Sequence, residues 1–272
     1  MTSPNLPLVE RVAVVTGAGR GLGRAMSIAL ANAGASVIAV DRDKETVDDL
    51  ASRAGGQVIP AGADVSIQED MEGIVNLSLA RFGRVDVVVS NAAMGLISIR
   101  KTYHSDPIRF WEVEPETLRR FLDVNTVAFF RLGRLVAPLM IEQGWGRIVS
   151  VTTSLSTMIR SGMFPYGASK AGNEAIASAM AGDLRGTGVT VNVLVPGGAA
   201  DTGFVPDDKG VDRSKLVPPD VMGPPMVWLA STESDGVTAR RFIAKEWDVS
   251  LPGSEAARLC SAPIAWGKDD QE

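Results

Sequence analysis

The chain has 272 residues, of which 45% are hydrophobic and 22% are charged, and its formal net charge is −5. A chain of this length buries roughly three quarters of its unfolded surface, so we expect one packed domain over residues 1–272. Because the net charge is small and the basic residues are scattered, a nucleic-acid partner is not indicated. The single cysteine and single histidine argue against an internal disulfide and a zinc cluster.

Targeting and membrane-spanning signals are not evident in the sequence. Residues 1–15 lack a basic region followed by a long apolar stretch, and no run reaches the roughly 18 apolar residues of a membrane span. We therefore expect a protein of the reducing cytoplasm with no membrane partner. No residue spacing indicates a metal site.

Short β-branched runs alternate with longer segments of helical period, which is typical of a parallel sheet with crossover helices. Strands are predicted in "RVAVVTGAG" and over residues 36–41, 57–64, 85–93, 147–152 and 190–197. Helices are predicted in "GRAMSIALANAG" and near residues 44–54, 68–82, 115–143 and 166–186. This order predicts an α/β protein with a doubly wound Rossmann fold. A further strand is expected near residues 241–244, followed by a tail in which Trp247 packs in the core, at the pocket or at an oligomer interface.

Two long segments after strands, residues 94–115 and 197–225, interrupt this alternation. In doubly wound sheets ligands bind beyond the carboxyl ends of strands, so these segments are either substrate-site loops or surface insertions. The first segment is rich in cationic and aromatic residues, namely Arg100, Lys101, Tyr103, His104, Arg109, Phe110 and Trp111. This composition hints at a ring-bearing or acidic ligand, although charged side chains on loops are usually only solvated.

A glycine-rich turn, "TGAGRGLG", lies between the first strand and the first helix, with Gly17, Gly19, Gly21 and Gly23 at alternate positions. Glycine allows a tight turn in which backbone N–H groups and a helix N-terminus face a pyrophosphate. The strand–turn–helix context indicates a dinucleotide site.

Asp41 ends the second strand, where its carboxylate can accept hydrogen bonds from the adenosine ribose hydroxyls and would repel a 2′-phosphate. This favours NAD over NADP, although Arg20 and Arg42 partly offset the repulsion. Asp64, after the third strand, either bonds the adenine amino group or caps a turn beside Ser66.

Tyr166 and Lys170, in "YGASK", share one face of a predicted helix because they are four residues apart. A free phenol has a pKa of about 10, and a nearby ammonium lowers that pKa. The sequence therefore predicts that Tyr166 exchanges a proton with an alcohol or a ketone.

Together, "TGAGRGLG", "SNAA", "DVN" and "YGASK" resemble the motifs of the short-chain dehydrogenase/reductase family, in its compact single-domain form. The resemblance extends from about Arg11 to Thr202. It implies a Rossmann sheet of about seven parallel strands, a nicotinamide cofactor and a proton relay of asparagine, serine, tyrosine and lysine. It also implies a homotetramer or homodimer packed through the long helices after Asp123 and Tyr166.

The resemblance assigns roles to individual residues. Tyr166 resembles the family's acid/base, Lys170 its pKa-lowering and ribose-binding partner, and Asn125 the asparagine that anchors a relay water. The structural alternative for Asn125 is a polar residue that bonds backbone across a helix irregularity. The implied cofactor residues are Gly17, Gly19, Arg20, Gly21, Leu22, Gly23, Asp41, Arg42, Asp64, Val65, Asn91, Ala92, Tyr166, Lys170, Pro196, Gly197 and Thr202.

Several positions depart from the family pattern. Ser90 and Ala93 differ from the family's "NNAG", and Thr202 stands one residue further from Pro196 than usual. The relay serine commonly lies 13 residues before the tyrosine, and this position is Thr153. Threonine supplies the same hydroxyl with an added methyl group, and Ser154 is the rival if the chain bulges locally.

The leading hypothesis is an NAD(H)-dependent oxidoreductase that interconverts a secondary alcohol and a ketone. The alternative is an NAD(H)-binding sensor or scaffold of the same fold that has lost turnover, motivated by the departures at Ser90, Ala93 and Thr153. A third class, an epimerase or dehydratase that uses NAD transiently, usually needs a larger substrate domain.

Overall fold

The sheet is built from the buried β-branched runs of the sequence. In the computed structural model, which describes residues 6–54 and 56–267, eight strands form one sheet in the order β3-β2-β1-β4-β5-β6-β7-β8. The strands are β1 Val12–Thr16, β2 Ser36–Asp41, β3 Val58–Gly62, β4 Val87–Ser90, β5 Gly146–Val151, β6 Val189–Val195, β7 Arg240–Ile243 and β8 Ser261–Pro263. Strands β1 to β7 are parallel, and β8 pairs with β7 in the antiparallel sense.

Helices cover both faces of the sheet. They are α1 Gly21–Asn32, α2 Lys44–Ala54, α3 Gln68–Phe82, α4 Pro115–Leu122, α5 Ala128–Gln143, α6 Leu155–Ile159, α7 Tyr166–Asp183, α8 Gly223–Leu229 and α9 Gly253–Leu259. Helices α1, α2, α8 and α9 contribute to a core cluster on one face, and α3, α5 and α7 to a cluster on the other. The Rossmann fold predicted from the alternating pattern is therefore confirmed.

The predicted helix over residues 115–143 is continuous but irregular. A π-helical segment, Asp123–Val127, joins α4 to α5. The stretch Pro115–Gln143 is long and apolar enough in composition to cross a membrane, with a mean hydropathy of 1.4 in its most apolar window. In the fold, Phe129 and Leu132 of this helix are buried in the core, so its apolar character is that of a helix packed on a sheet.

The last part of the described chain adds more structure than the sequence predicted. The seventh strand is present, but the expected tail contains α9 and the antiparallel edge strand β8. Trp247 packs 5.6 Å from the ring of Trp228, beside the core, which matches the core alternative for this residue. The tail was mispredicted because these elements are short and depend on the sheet edge for their partners.

The strand order places the switch point of the sheet between β1 and β4. Connections leave these two strands toward opposite sides, which opens a crevice at their carboxyl ends. The glycine-rich turn follows β1, and "SNAA" follows β4, so both predicted cofactor motifs lie at this crevice. The end of β5, with "TTS", lies next to them.

Candidate active site

The glycine-rich turn is packed too closely for side chains. Gly17 and Gly21 have φ angles of +63° and +54°, in the left-handed region that favours glycine. A Cβ atom added to Gly23 would lie 2.1 Å from the Gly17 carbonyl oxygen. The turn therefore presents backbone at the N-terminus of α1, as the motif predicts for a phosphate site.

The end of β4 fixes this turn. The Asn91 side-chain amide donates to the carbonyl oxygens of Thr16 and Gly17, each at 3.0 Å. In return, the Thr16 hydroxyl oxygen accepts hydrogen bonds from the backbone N–H of Asn91 at 3.0 Å and of Ala92 at 3.2 Å. Sequence reasoning found Asn91 and Ala92 but missed Thr16, whose position at the end of a buried strand next to the first glycine was the available signal.

Asp41 lies at the end of β2 and reaches the glycine turn. One carboxylate oxygen accepts from Gly19 N–H at 3.1 Å, and the other accepts from Asp43 N–H at 3.1 Å. Arg20 forms an exposed ion pair with Asp43 at 2.6 Å. Arg20 is thus engaged by a neighbouring carboxylate rather than by Asp41.

Asp64 forms a turn cap. Its Oδ1 atom accepts from the Ser66 backbone N–H at 2.9 Å and from the Ser66 hydroxyl at 2.7 Å. Burial tends to raise the pKa of Asp64, but the Ser66 hydrogen bonds and nearby Arg42 outweigh it and lower that pKa. Val65 is buried in the core next to this turn. The adenine contact expected for Asp64 stays a prediction.

Lys170 is buried beneath the end of β5. Its Nζ atom donates to the Val151 carbonyl oxygen at 2.8 Å, and only 3% of the residue is exposed. Burial lowers the pKa of Lys170 to about 8, opposed by the negative charge of Glu174. The lysine therefore still carries its proton at neutral pH.

Tyr166, the first residue of α7, has a perturbed phenol. Burial raises the pKa of Tyr166 to about 12; the nearby Thr153 side chain acts to lower that pKa, and Tyr103 acts to raise it further. The lowered pKa predicted from the spacing to Lys170 is thus wrong for this structure. The reason is that desolvation of the phenolate outweighs other effects, and the Lys170 ammonium is bonded to backbone at Val151.

Thr153 and Ser154 have different surroundings. The Thr153 side chain lies close enough to the Tyr166 phenol to lower its pKa. Ser154 is the N-cap of α6: its hydroxyl oxygen accepts from Thr157 N–H at 3.2 Å, and it lies 2.6 Å from the Thr157 hydroxyl. Of the two rivals, Thr153 is the one whose side chain influences the phenol, and the choice of relay hydroxyl stays a prediction.

Asn125 lies in the π-helical segment, and its side chain bonds the segment that follows β4 and helix α7. Its side-chain oxygen accepts from Met94 N–H at 2.6 Å, and its amide donates to the Met94 carbonyl at 3.0 Å and to the Ser169 hydroxyl at 2.9 Å. The Asn173 amide donates to the Asn125 main-chain carbonyl at 3.0 Å. Asn125 thus has a structural role, but its side chain fixes the segment after β4 and does not bridge the helix irregularity itself; its link to a relay water stays a prediction.

The two long segments meet beside Tyr166. The Ser105 hydroxyl donates to Asp208 at 2.7 Å, and the Tyr103 hydroxyl donates to the Phe204 carbonyl at 3.3 Å. The Phe204 ring lies 6.1 Å from the Tyr166 ring, in an edge-on arrangement. Residues 94–115 and 197–225 thus form adjoining walls next to the phenol.

The start of the second segment approaches the glycine turn. Gly197 has a φ angle of +91°, and the carbonyl of Pro196 accepts from Lys245 N–H at 3.2 Å. The chain then brings Thr202 against Gly21, where an added Cβ would lie 2.8 Å from the threonine methyl group. This places Pro196, Gly197 and Thr202 along the same crevice as the glycine turn.

The inner side of these walls is apolar. Leu96, Ile108 and Phe121 are buried, and Ile99, Met163 and Tyr166 pack against them. The cationic residues of the first segment serve its own structure or face solvent. Arg100 pairs with Asp106 at 3.2 Å and with Glu112 at 3.3 Å, and His104 is exposed. The hint of an acidic ligand therefore has no support from Arg100 or His104.

Two buried charged residues near the site were not predicted from the sequence. Glu174 is fully buried, one helical turn after Lys170, and forms an ion pair with Arg241 of β7 at 3.0 Å. The signals were the i, i+4 spacing of Glu174 to Lys170 and the charge of Arg241 within an otherwise buried strand, because a buried charge requires a partner.

Known proteins share this architecture and these motifs. A family model described as short chain dehydrogenase matches residues 11–209. The 7alpha-hydroxysteroid dehydrogenase of Escherichia coli (strain K12) is 31% identical over 198 residues, covering 72% of this chain and 73% of that protein. The 1-deoxy-11-beta-hydroxypentalenate dehydrogenase of Streptomyces exfoliatus is 35% identical over 233 residues, covering 82% and 80%.

Solved structures agree with the sequence matches. The 3-ketoacyl-(acyl-carrier-protein) reductase from Brucella melitensis, complexed with NADH, superimposes with a TM-score of 0.75 at 28% identity, covering 85% of this chain and 95% of that one. A putative NAD(P) dependent gluconate 5-dehydrogenase from Beutenbergia cavernae, with bound NADP, gives a TM-score of 0.75 at 30% identity, covering 88% and 97%. The chain belongs to the short-chain dehydrogenase/reductase family, and it is an oxidoreductase of that family.

The packing of the glycine turn makes a testable prediction about stability. Gly23→Ala places a methyl group against the Gly17 carbonyl, and overpacking of this kind costs about 1–3 kcal/mol. Gly73→Ala in α3 is the matched control, because nothing lies within 4 Å of the added Cβ. In that exposed helical position the substitution is expected to stabilise by about 0.5–1 kcal/mol. Denaturant unfolding measures the free energy of unfolding of both variants. Equal values for the two variants would contradict the prediction.

Proposed function

We propose that this protein interconverts a secondary alcohol and a ketone with NAD(H) as the hydride carrier. The observation that carries the proposal is the placement of Thr153 beside the buried Tyr166 phenol at the carboxyl edge of the sheet, with Lys170 bonded to the Val151 carbonyl next to them. The pair lies at the crevice where the glycine turn follows β1. Proton exchange and hydride exchange would therefore occur next to each other.

The residues at the crevice suit a nicotinamide dinucleotide. The close packing of the Gly17–Gly23 turn leaves backbone, rather than side chains, to face a pyrophosphate. Asp41 would accept the adenosine ribose hydroxyls, and Lys170 would hold the nicotinamide ribose. When bound, the nicotinamide supplies or accepts the hydride. The carboxylate of Asp41 supports NAD over NADP, since it repels a 2′-phosphate.

The proton chemistry falls to Tyr166. Its raised pKa keeps the phenol protonated at neutral pH, so it would donate a proton to the carbonyl oxygen of a ketone. In the opposite direction the phenolate would take the proton from the alcohol. The Thr153 hydroxyl would hold the same oxygen and stabilise the negative charge that develops on it. Together with one hydride, one proton converts the ketone into the alcohol.

The apolar walls support a substrate with an apolar body. Ile99 and Met163 belong to the same apolar cluster as Tyr166, the Phe204 ring lies beside the Tyr166 ring, and Arg100 is paired within the first segment. A ring-bearing secondary alcohol or its ketone fits this surface better than an acidic ligand. One relative is named for a hydroxysteroid, which is a ring-bearing alcohol of this kind.

Assembly and location are further parts of the proposal. Helix α5 exposes Phe130 and Ile141, and Val127 just before it is also exposed. Contact with a second copy would remove this apolar surface from water, which supports a homodimer or homotetramer. A single domain in the cytoplasm stays our prediction.

Tyr166→Phe removes the proton donor and leaves the ring. We expect kcat to fall at least about 100-fold, since general acid–base catalysis contributes that much or more. Reduction of a panel of polycyclic ketones is followed by NADH absorbance, and NADH affinity is measured by fluorescence titration. NADH affinity should change less than about twofold. Retained turnover in the variant would refute the assignment, and NADH binding without turnover of any alcohol or ketone by the native chain would favour the sensor alternative.

Thr153→Ala and Ser154→Ala separate the two candidate hydroxyls. Loss of a donor to a developing oxyanion costs about 100-fold to 1,000-fold in kcat, which we expect for Thr153→Ala. Ser154→Ala should leave kcat within about threefold and lower the free energy of unfolding by about 1 kcal/mol, because this serine caps α6. Steady-state kinetics and denaturant unfolding measure both. A large loss of kcat in Ser154→Ala with little change in Thr153→Ala would assign the relay hydroxyl to Ser154.

Asp41→Ser tests the choice of cofactor. Hydrogen bonds to a charged group contribute about 1.5–3 kcal/mol, so kcat/KM for NADH should fall about tenfold to 100-fold. Without the carboxylate, kcat/KM for NADPH should rise. An unchanged ratio of the two kcat/KM values would show that Asp41 does not select the cofactor.

A further inference from the structure

A buried ion pair lies under the end of strand β5. Glu174 of α7 is fully buried, and its Oε1 atom lies 3.0 Å from Nε of Arg241, whose side chain is 8% exposed. Both charges have left water, which is costly unless each polar atom finds a partner. Two of the hydrogen-bond partners of this ion pair are Thr152 and Thr153.

Three successive residues at the end of β5 are each held by a charged side chain. Lys170 Nζ donates to the Val151 carbonyl at 2.8 Å, and the Thr152 hydroxyl donates to Glu174 Oε1 at 2.6 Å. Arg241 Nη2 donates to the Thr153 carbonyl at 2.6 Å. The guanidinium fork of Arg241 thus links the Glu174 carboxylate to the backbone of Thr153.

The position of Thr153 explains why the hydrogen bonds from Lys170, Glu174 and Arg241 matter. The chain leaves the sheet after Val151, so Thr153 lies beyond the hydrogen bonds of the β5 ladder. Its backbone position decides where its hydroxyl meets Tyr166. Replacing a buried ion pair with apolar residues of similar volume often leaves the free energy of unfolding unchanged or raises it. Stability alone is therefore a weak reason for this ion pair. Its directed hydrogen bonds fix the position of a particular group.

We propose that Arg241 and Glu174 are positioning residues that hold the Thr153 hydroxyl against Tyr166. This inference rests on the proposed function of Thr153 and Tyr166. Arg241 acts through the Thr153 carbonyl, and Glu174 acts by orienting Arg241 and by fixing Thr152. Neither side chain has to touch the substrate or the cofactor.

Arg241→Met tests the proposal, because methionine fills similar space without the bond to Thr153. A misplacement of about 1 Å costs on the order of 100-fold in rate, so we expect kcat to fall tenfold to 100-fold. KM for NADH should stay within twofold, because Arg241 bonds Glu174 and Thr153 and not the glycine turn or Asp41. Arg241→Lys, which keeps the charge and one donor, should recover part of kcat. An unchanged kcat in Arg241→Met would overturn the proposal.

Arg147→Met is the matched control. Arg147 is a buried arginine near the start of β5, at the other end of that strand from Thr153, and it pairs with Asp235. Its loss is expected to lower the melting temperature and leave kcat of the folded enzyme within twofold. Equal losses of kcat in both variants would show a general effect of removing a buried arginine and overturn the positioning role.

Crystal structures of the native chain and the Arg241 variants give a readout that does not depend on turnover. We expect the Thr153 hydroxyl to move away from Tyr166 by more than about 0.5 Å in Arg241→Met, and less in Arg241→Lys. An unmoved Thr153 would overturn the proposal even if kcat falls. If Arg241→Met does not fold, Arg241→Lys carries the same test. Absence of turnover in the native chain would refute the proposed function, and the position of Thr153 would still decide the inference.

Discussion

The site depends on one constraint, which is that seven neighbouring strands run in the same direction. Parallel strands end at the same edge of a sheet, so residues far apart in the sequence meet there without long connecting loops. Gly17 follows β1, Asp41 ends β2, Asn91 follows β4 and Thr153 follows β5. Each of these residues lies at the edge because a buried β-branched run ends immediately before it. Side chains such as Asn91 then tie one strand end to the next.

The same edge is partly desolvated, and this shifts the pKa values of Tyr166 and Lys170. Burial raises the pKa of Tyr166 to about 12 and lowers that of Lys170 to about 8, because it opposes the charged form of each group. The carboxylate of Glu174 counteracts the shift of Lys170 and keeps the ammonium charged at neutral pH. Tyr166 therefore keeps its proton until a ligand changes its surroundings. In the proposed function, this phenol holds a proton ready for donation.

Much of this could be predicted from the sequence, and the remainder could not for definite reasons. The strands, the glycine turn, Tyr166 and Lys170 follow from local patterns of hydrophobicity and spacing. The direction of the Tyr166 pKa shift depends on burial, which a helical spacing of four residues does not report. The pairing of Arg241 with Glu174 joins residues 67 positions apart, and β8 needs the edge of β7. Such features arise only when distant segments have packed.

The bond from Ala265 to Glu174 links the site to the order in which the chain is made. The backbone N–H of Ala265, just after β8, donates to Glu174 Oε2 at 2.9 Å. Synthesis runs from the amino end, so residues 261–267 leave the ribosome after every other segment that contacts this carboxylate. Until they arrive, Glu174 lacks one of its partners and β7 has an open edge. The hydrogen bonds of Glu174 are thus completed late, after Tyr166, Lys170 and Arg241 have already been synthesised.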